Sequence, residues 1–181
     1  MLDPSIRFAD LSPSCCQDRT CARQRTETRS TLTSLVDVFF TLARSRLKPV
    51  DVESHTPALG FLERAVAAVN SAMTGTITNE DAATLIRCIS GTLHNLGGTL
   101  YAAGCLGGAV RFLKEGCILG RRVLEMYTNA RADTQGDQGD REKEGRQQLE
   151  EQLFRRYELL GVCHSKIGDR KVRRESMVRV R

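Results

Sequence analysis

The chain has 181 residues, of which 40% are apolar and 5% aromatic, with no tryptophan. This length suits one domain with a sizeable core, and the runs of β-branched and aromatic residues that mark strands are missing, so we expect an all-α protein. No stretch approaches the roughly 18 uninterrupted apolar residues of a membrane span, and no secretory signal is visible, so we expect an intracellular protein that does not enter membranes.

The cysteines argue against a metal site or a disulfide framework. There are seven, an odd number, with no Cys-x-x-Cys and no pair of histidines at ligand spacing. In a reducing compartment such cysteines behave as small buried apolar residues. We therefore expect no metal and no cofactor.

Residues 1–30 are polar and show no sustained hydrophobic period. Four arginines, at positions 19, 23, 25 and 29, make this segment mildly basic, and together with the net charge of +5 they raise the alternative of a nucleic-acid-binding arm. No aromatic residue lies among these arginines to stack on bases. We therefore predict a disordered, solvated leader over residues 1–30 and do not expect nucleic acid as the main partner.

Two helices are predicted next. The first spans Thr31 to Leu47 and ends before Pro49, and the second begins at the Thr56-Pro57 cap and runs to about Met73. An earlier, degenerate repeat is the alternative, but they lack the Leu-Gly and alanine signatures at the spacing of the hairpin described below, so we describe them as a packed helical pair. With the hairpin that follows, they form the predicted helical domain of residues 31–128.

A helical hairpin is the central prediction. Thr78 and Asp81 resemble a capping box that starts the first arm, and Gly104 stands where that arm must turn. The apolar positions of each arm are spaced by three or four residues and fall on one helix face: Leu85, Ile89, Leu93, Leu96 and Leu100 in the first arm, and Ala109, Leu113, Gly116, Gly120 and Val123 in the second.

The order of large, small and aromatic residues in this hairpin resembles the tetratricopeptide repeat. Tyr157, Leu160-Gly161 and Gly168 repeat the spacing of the first arm 64 residues later, which equals one repeat of about 34 residues plus an insert of about 30. The predicted fold is therefore a short solenoid of antiparallel helical hairpins. Its structural repeat positions are Leu93, Leu96, Gly97, Gly104, Ala109, Leu113, Tyr157, Leu160, Gly161 and Gly168.

The structure of the remaining segments is predicted from their composition and hydrophobic spacing. Residues 129–147 are rich in charge and glycine and are predicted to form a flexible insert, 148–171 the first helix of a further repeat, and 172–181 an irregular basic tail. No second arm follows to cover the apolar face between Leu153 and Ile167. Since repeat arrays need neighbours, we expect the chain to be the beginning of something longer, with a read-through end after Lys171 as one hypothesis.

Residues 93–124 together with 155–171 resemble the helical, tetratricopeptide-like region of fungal separases. The most specific parts are Arg-Arg-Tyr-Glu-Leu-Leu at 155–160 and Ser-Lys-Ile-Gly-Asp-Arg-Lys at 165–171. Separases are cysteine endopeptidases that cleave cohesin at anaphase and are held by the inhibitory chaperone securin. The resemblance implies a non-catalytic scaffold that acts in sister-chromatid separation, a securin-like protein partner, and a location in nucleus and cytoplasm. The family's protease domain lies far beyond the residues that this chain matches, so no catalytic residue carries over.

The residues themselves also favour binding over catalysis. Cys163 and His164 are adjacent on a predicted helix, so their side chains point about 100° apart and do not form a nucleophile–base pair. We expect His164 on the apolar face. The first helices of tetratricopeptide hairpins line a groove that takes peptides, and Asn95, Tyr101 and Glu158 are the predicted partner contacts.

Three hypotheses for function follow. The first is a protein-interaction scaffold that has no activity of its own. The second is that the chain is a fragment of a complete separase-like cysteine endopeptidase. The third is a basic, nucleic-acid-associated helical protein.

Overall fold

The computed structural model describes the backbone of residues 14–132, except residue 75, and of residues 139–179; side chains are described for residues 22–129, except 75, and 145–168. Over these residues the chain forms helices and no strand, so the all-α prediction is confirmed. None of these helices combines the length and hydrophobicity that crossing a bilayer requires. The helices are α1 (Ser14–Arg46), α2 (His55–Ala72), α3 (Asn79–Ala102), α4 (Leu106–Ala132) and α5 (Gly139–Arg179), with a short 3-10 helix at Val52–Ser54 before α2.

Helix α1 begins at Ser14, which corrects the prediction of a disordered leader for residues 14–30; residues 1–13 of that predicted leader lie outside the described residues. No glycine or proline interrupts residues 14–46, so the helix continues outward from its packed half. The hydroxyl-bearing residues that suggested disorder are accommodated within the helix. Thr26 and Thr28 donate to carbonyls four residues earlier, at 3.0 and 2.9 Å, and Arg23 pairs with Glu27 at 3.0 Å.

Helix α2 starts earlier than predicted, whereas α3 starts at its predicted N-cap. Helix α2 starts at His55 with Ser54 at the N-cap, two residues before the predicted Thr56 cap, because the preceding 3-10 helix runs directly into it. Helix α3 starts as predicted: the Thr78 hydroxyl accepts a hydrogen bond from the Asp81 backbone N–H at 3.1 Å. Asp81 in turn pairs with Arg29 of α1 at 3.0 Å, which ties the two helices together.

Gly104 makes the turn between α3 and α4. Its φ is +76°, the left-handed conformation that side chains other than glycine rarely adopt. The Cys105 N–H donates to the Leu100 carbonyl and the Gly104 N–H to the Tyr101 carbonyl, both at 2.9 Å. These two bonds form a Schellman motif and satisfy carbonyls that the helix end would otherwise leave unpaired.

Helices α3 and α4 pack closely because small residues stand where they meet. A Cβ added to Gly97 would lie 2.8 Å from Leu113 Cγ, so no side chain fits there without movement. Ala109 and Leu113 of α4 and Leu93 and Leu96 of α3 are all buried in the same core. This contact places the two helices as an antiparallel pair along most of their length.

Helix α5 packs on α4 and runs parallel to α3. Arg156 contacts Ser90, and Lys166 contacts Tyr101, so both helices advance in the same direction. Helical backbone occupies both ends of the predicted flexible insert, because α4 ends at residue 132 and α5 begins at 139; the middle of that insert lies outside the described residues. The backbone of α5 also continues to Arg179, which corrects the prediction of an irregular tail for residues 172–179, since Arg, Glu and Met favour helix; residues 180–181 lie outside the described residues.

We predict opposite effects on stability for alanine at two neighbouring glycines. At Gly98 an added Cβ meets nothing within 4 Å, so Gly98→Ala should raise the free energy of unfolding by about 0.5–1 kcal/mol through helix propensity alone. At Gly97 the same gain is offset by overpacking against Leu113, which costs about 1–3 kcal/mol. Urea denaturation should therefore place Gly97→Ala at least about 1 kcal/mol below Gly98→Ala. Equal stability of the two variants would contradict the close approach.

Candidate functional site

The face that α5 buries is not the one that its apolar spacing predicted. The predicted stripe ran through Tyr157 and His164, but both side chains are exposed. Their places on the buried face are taken by Arg156 and Cys163, which follow Leu149 and Leu153 along the same side of the helix. Helix α5 is therefore rotated relative to the prediction, because it packs against α4 and α3 together rather than against one helix.

A buried polar contact lies where α3, α4 and α5 meet. The Arg156 side chain is only 4% exposed, and its Nη1 donates to Ser90 Oγ at 2.5 Å. The Ser90 hydroxyl donates its own proton to the Gly116 carbonyl at 2.6 Å. Among the described residues no carboxylate pairs with Arg156, so a serine hydroxyl is its hydrogen-bond partner there.

Two glycines of α4 make room for this contact. A Cβ at Gly120 would stand 2.8 Å from Arg156 Nη1 and 3.0 Å from a methyl of Leu153. A Cβ at Gly116 would come within 3.3 Å of the Ser90 carbonyl. The glycines that the sequence placed on the apolar face of α4 therefore serve two contacts: Gly116 approaches α3, and Gly120 admits the arginine of α5.

The charge of Arg156 acts on two neighbouring groups. Burial first, and then the positive charge of Arg156, lower the pKa of His94 below its ordinary 6.5. The Nδ1 atom of His94 is buried and has no hydrogen-bond partner. Burial raises the pKa of the Cys117 thiol, and the charge of Arg156 offsets part of that rise. Both shifts favour the neutral form of the side chain at neutral pH.

Of the three predicted contact residues, Asn95 and Tyr101 lie on α3 and Glu158 lies on α5. Asn95 and Glu158 are exposed, and Tyr101 is half-buried near the end of α3. The Lys166 ammonium donates to the Tyr101 hydroxyl at 2.6 Å and lies 4.6 Å from the centre of its ring. Tyr101 is thus joined to α5, whereas no described hydrogen bond joins Asn95 or Glu158 to the opposite helix.

Between these contacts, α3 presents glycines. Gly91 and Gly98 are half-buried, and a Cβ added to either would meet nothing within 4 Å. Val162 of α5 is 43% exposed and precedes Lys166 by four residues, so it lies on the same side of α5 as the lysine that contacts Tyr101. We name this surface the α3–α5 furrow and define it by Gly91, Asn95, Gly98 and Tyr101 on α3 and Glu158 and Val162 on α5.

The remaining candidates from the sequence do not come together as a reactive site. Cys163 is buried and His164 is exposed, as expected for neighbours on a helix, although the predicted place of His164 on the apolar face was wrong. In the part of the chain that the structure describes, no three His, Cys, Asp or Glu side chains are grouped as metal ligands. The cysteines differ among themselves: Cys117 and Cys163 are buried, whereas Cys88 is exposed.

Sequence reasoning missed the role of Arg156 and Ser90. A signal was present, because Arg156 follows Leu153 by three residues and precedes Leu160 by four, which is the spacing of a buried position. An arginine at such a place is ordinarily assigned to the surface, since charged residues are almost never fully buried without a partner. That partner, Ser90, is 66 residues away in the chain.

We predict an asymmetric effect of removing the two partners. Ser90→Ala should lower the free energy of unfolding by about 1.5–3 kcal/mol, because it leaves a buried guanidinium without its acceptor. Arg156→Met should cost much less, because Ser90 keeps its bond to Gly116 and the site becomes apolar. Urea denaturation of the double mutant should show that R156M suppresses most of the cost of S90A. Additive losses would contradict this account, and Arg155→Met, at an exposed position, is the matched control.

We also predict a specific dependence of stability on pH. Because the pKa of His94 is lower in the folded chain, the unfolded chain takes up the proton more readily as the pH falls below about 6.5. Titration of His94 therefore leaves the free energy of unfolding unchanged at higher pH and lowers it on acidification. The free energy of unfolding should fall less steeply between about pH 7 and 5 in His94→Gln than in the wild type. A slope in H94Q identical to that of the wild type would contradict the assignment.

Comparison of the chain with protein-family models, with curated proteins and with solved structures finds no match. The assignment of a function therefore depends on the chemistry of the described surfaces. These are the buried contact between the Arg156 guanidinium and Ser90 at the three-helix junction, and the accessible α3–α5 furrow beside it.

Proposed function

We propose that the chain is a protein-interaction scaffold that binds a peptide segment of a partner protein along the α3–α5 furrow. The observation that carries this proposal is the parallel placement of α3 and α5, tied at Ser90–Arg156 and at Tyr101–Lys166, with accessible residues between these two ties. Ordered neighbouring helices supply a pre-formed surface, which lowers the entropic cost of binding. No chemical step is proposed within this chain.

The furrow carries features that suit a peptide. Glycines at 91 and 98 allow another backbone to approach α3 closely, and Asn95 offers both a donor and an acceptor. Glu158 supplies a negative charge and Val162 an apolar contact on the other side. We therefore propose that the bound segment presents main-chain polar groups toward Asn95 and a basic or donor-bearing side chain toward Glu158.

We propose that the α3–α5 furrow is part of the binding groove of a tetratricopeptide-type repeat array. In such repeats the first helix of each hairpin lines the binding groove. We propose that α3 and α5 are two successive first helices and that α4 is the second helix of the hairpin between them. The parallel direction of α3 and α5 and the close packing at Gly97 support this assignment.

The resemblance of residues 93–124 and 155–171 to separases leads us to a narrower proposal. The partner would then be a securin-like inhibitor or a substrate, and the wider role would be in sister-chromatid separation. Binding of a purified securin-like protein to this chain, measured by isothermal titration, tests this narrower proposal. Absence of binding would remove it while leaving the scaffold proposal in place.

The scaffold proposal predicts that binding depends on furrow residues. A photoreactive amino acid placed at Asn95 or Glu158 should crosslink a partner protein that the same amino acid at the exposed Glu80 does not. With the identified partner purified, Asn95→Ala and Glu158→Gln should each raise Kd by about three- to tenfold, as for typical interface contacts.

Glu125→Gln removes one exposed charge on α4, away from the furrow, and is the matched control. Its Kd should equal that of the wild type. Equal crosslinking from Glu80, or an unchanged Kd in both furrow variants, would contradict binding at the α3–α5 furrow.

A further inference from the structure

A second surface lies on the other side of α4, between α4 and α2. The two helices run parallel and are bridged at both ends of this surface. Arg111 Nη1 donates to Thr56 Oγ1 at 3.2 Å at one end, and Arg122 Nη2 lies 3.8 Å from Met73 Sδ at the other. Between these bridges the helices leave a cleft, with Leu93 of α3 among its lining residues.

The cleft is apolar and of the size of one side chain. Its volume is about 150 Å³. A cavity of about this volume lined by aliphatic and aromatic residues holds one benzene ring. Its apolar lining consists of Leu59, Leu62, Val66, Leu93 and Leu119.

Two carboxylates complete the lining. Glu63 comes from α2 and Glu115 from α4. In the described part of the chain neither carboxylate takes part in an ion pair, since the pairs there join other residues. Arg111 and Arg122 of α4 donate hydrogen bonds to Thr56 and Met73 at the two ends of α2. The middle of the cleft is thus apolar at its base and negatively charged at its sides.

We propose that this cleft is a docking site for a peptide segment of a partner protein that carries one large apolar side chain flanked by arginine or lysine. The apolar side chain enters between α2 and α4, which removes it from water, and the flanking cations lie against Glu63 and Glu115. The site is separate from the α3–α5 furrow and does not rest on the function proposed for that surface. A scaffold with both sites engages two segments at once.

The test uses a synthetic peptide, Ac-Arg-Ala-Phe-Ala-Arg-NH2, titrated into the full chain and followed by methyl NMR. Resonances of Leu62, Val66 and Leu93 should shift in a saturable way. A peptide with alanine in place of phenylalanine should have a Kd at least about tenfold higher, because it loses the buried ring. A peptide with glutamate in place of both arginines should also lose binding, because it meets Glu63 and Glu115 with like charge.

Two double variants of the protein separate local from general charge effects. E63Q/E115Q should weaken binding of the arginine peptide by about three- to tenfold, and E80Q/E125Q, with the same change in net charge at exposed positions elsewhere, should leave it unchanged. Absence of shifts, equal binding of the glutamate peptide, or shifts confined to the α3–α5 furrow would each overturn the proposal. Shifts at the cleft that grow with protein concentration alone would overturn it in favour of a second copy of this chain.

Discussion

The close approach of α3 and α4 is the constraint on which the rest of this structure depends. Gly97 lets Leu113 sit against the backbone of α3, and Gly116 brings the backbone of α4 to that of α3 near Ser90. The left-handed turn at Gly104 makes this approach possible, since it reverses the chain within a few residues. Every other helix packs on the hairpin that results, and both proposed binding surfaces lie along its edges.

The buried contact between Arg156 and Ser90 then decides how α5 sits on this hairpin. Apolar packing alone is tolerant of small rotations of a helix, whereas a guanidinium with one acceptor has few acceptable positions. With Arg156 held at Ser90, Tyr157 and the neighbouring Phe154, 62% exposed, turn outward. A buried polar contact of this kind contributes little net stability. Here it fixes the rotation and axial position of α5, and that position also brings Lys166 to Tyr101.

The two surfaces differ in chemistry because they use different parts of the same helices. The α3–α5 furrow is polar, with glycines that expose backbone, and suits main-chain recognition. The cleft between α2 and α4 is apolar with carboxylates among its lining residues, and suits a single side chain. The two surfaces share no lining residue, so one partner can occupy each of them.

The sequence by itself determined the helical class, the cap at Thr78, the turn at Gly104 and the apolar faces of α3 and α4, because these follow from local spacing and from the conformational freedom of glycine. The prediction was wrong for residues 14–30 and 172–179. Their polar composition suggested irregular structure, but no glycine or proline interrupts the helices there. Only the tertiary structure decided which face of α5 is buried. The acceptor for Arg156 lies 66 residues away, and the room for it is made by Gly120 on a third helix. The cleft between α2 and α4 likewise depends on the distance between these two helices, both of which pack on α3. Packing sets that distance, and the spacing of residues along either helix does not predict it.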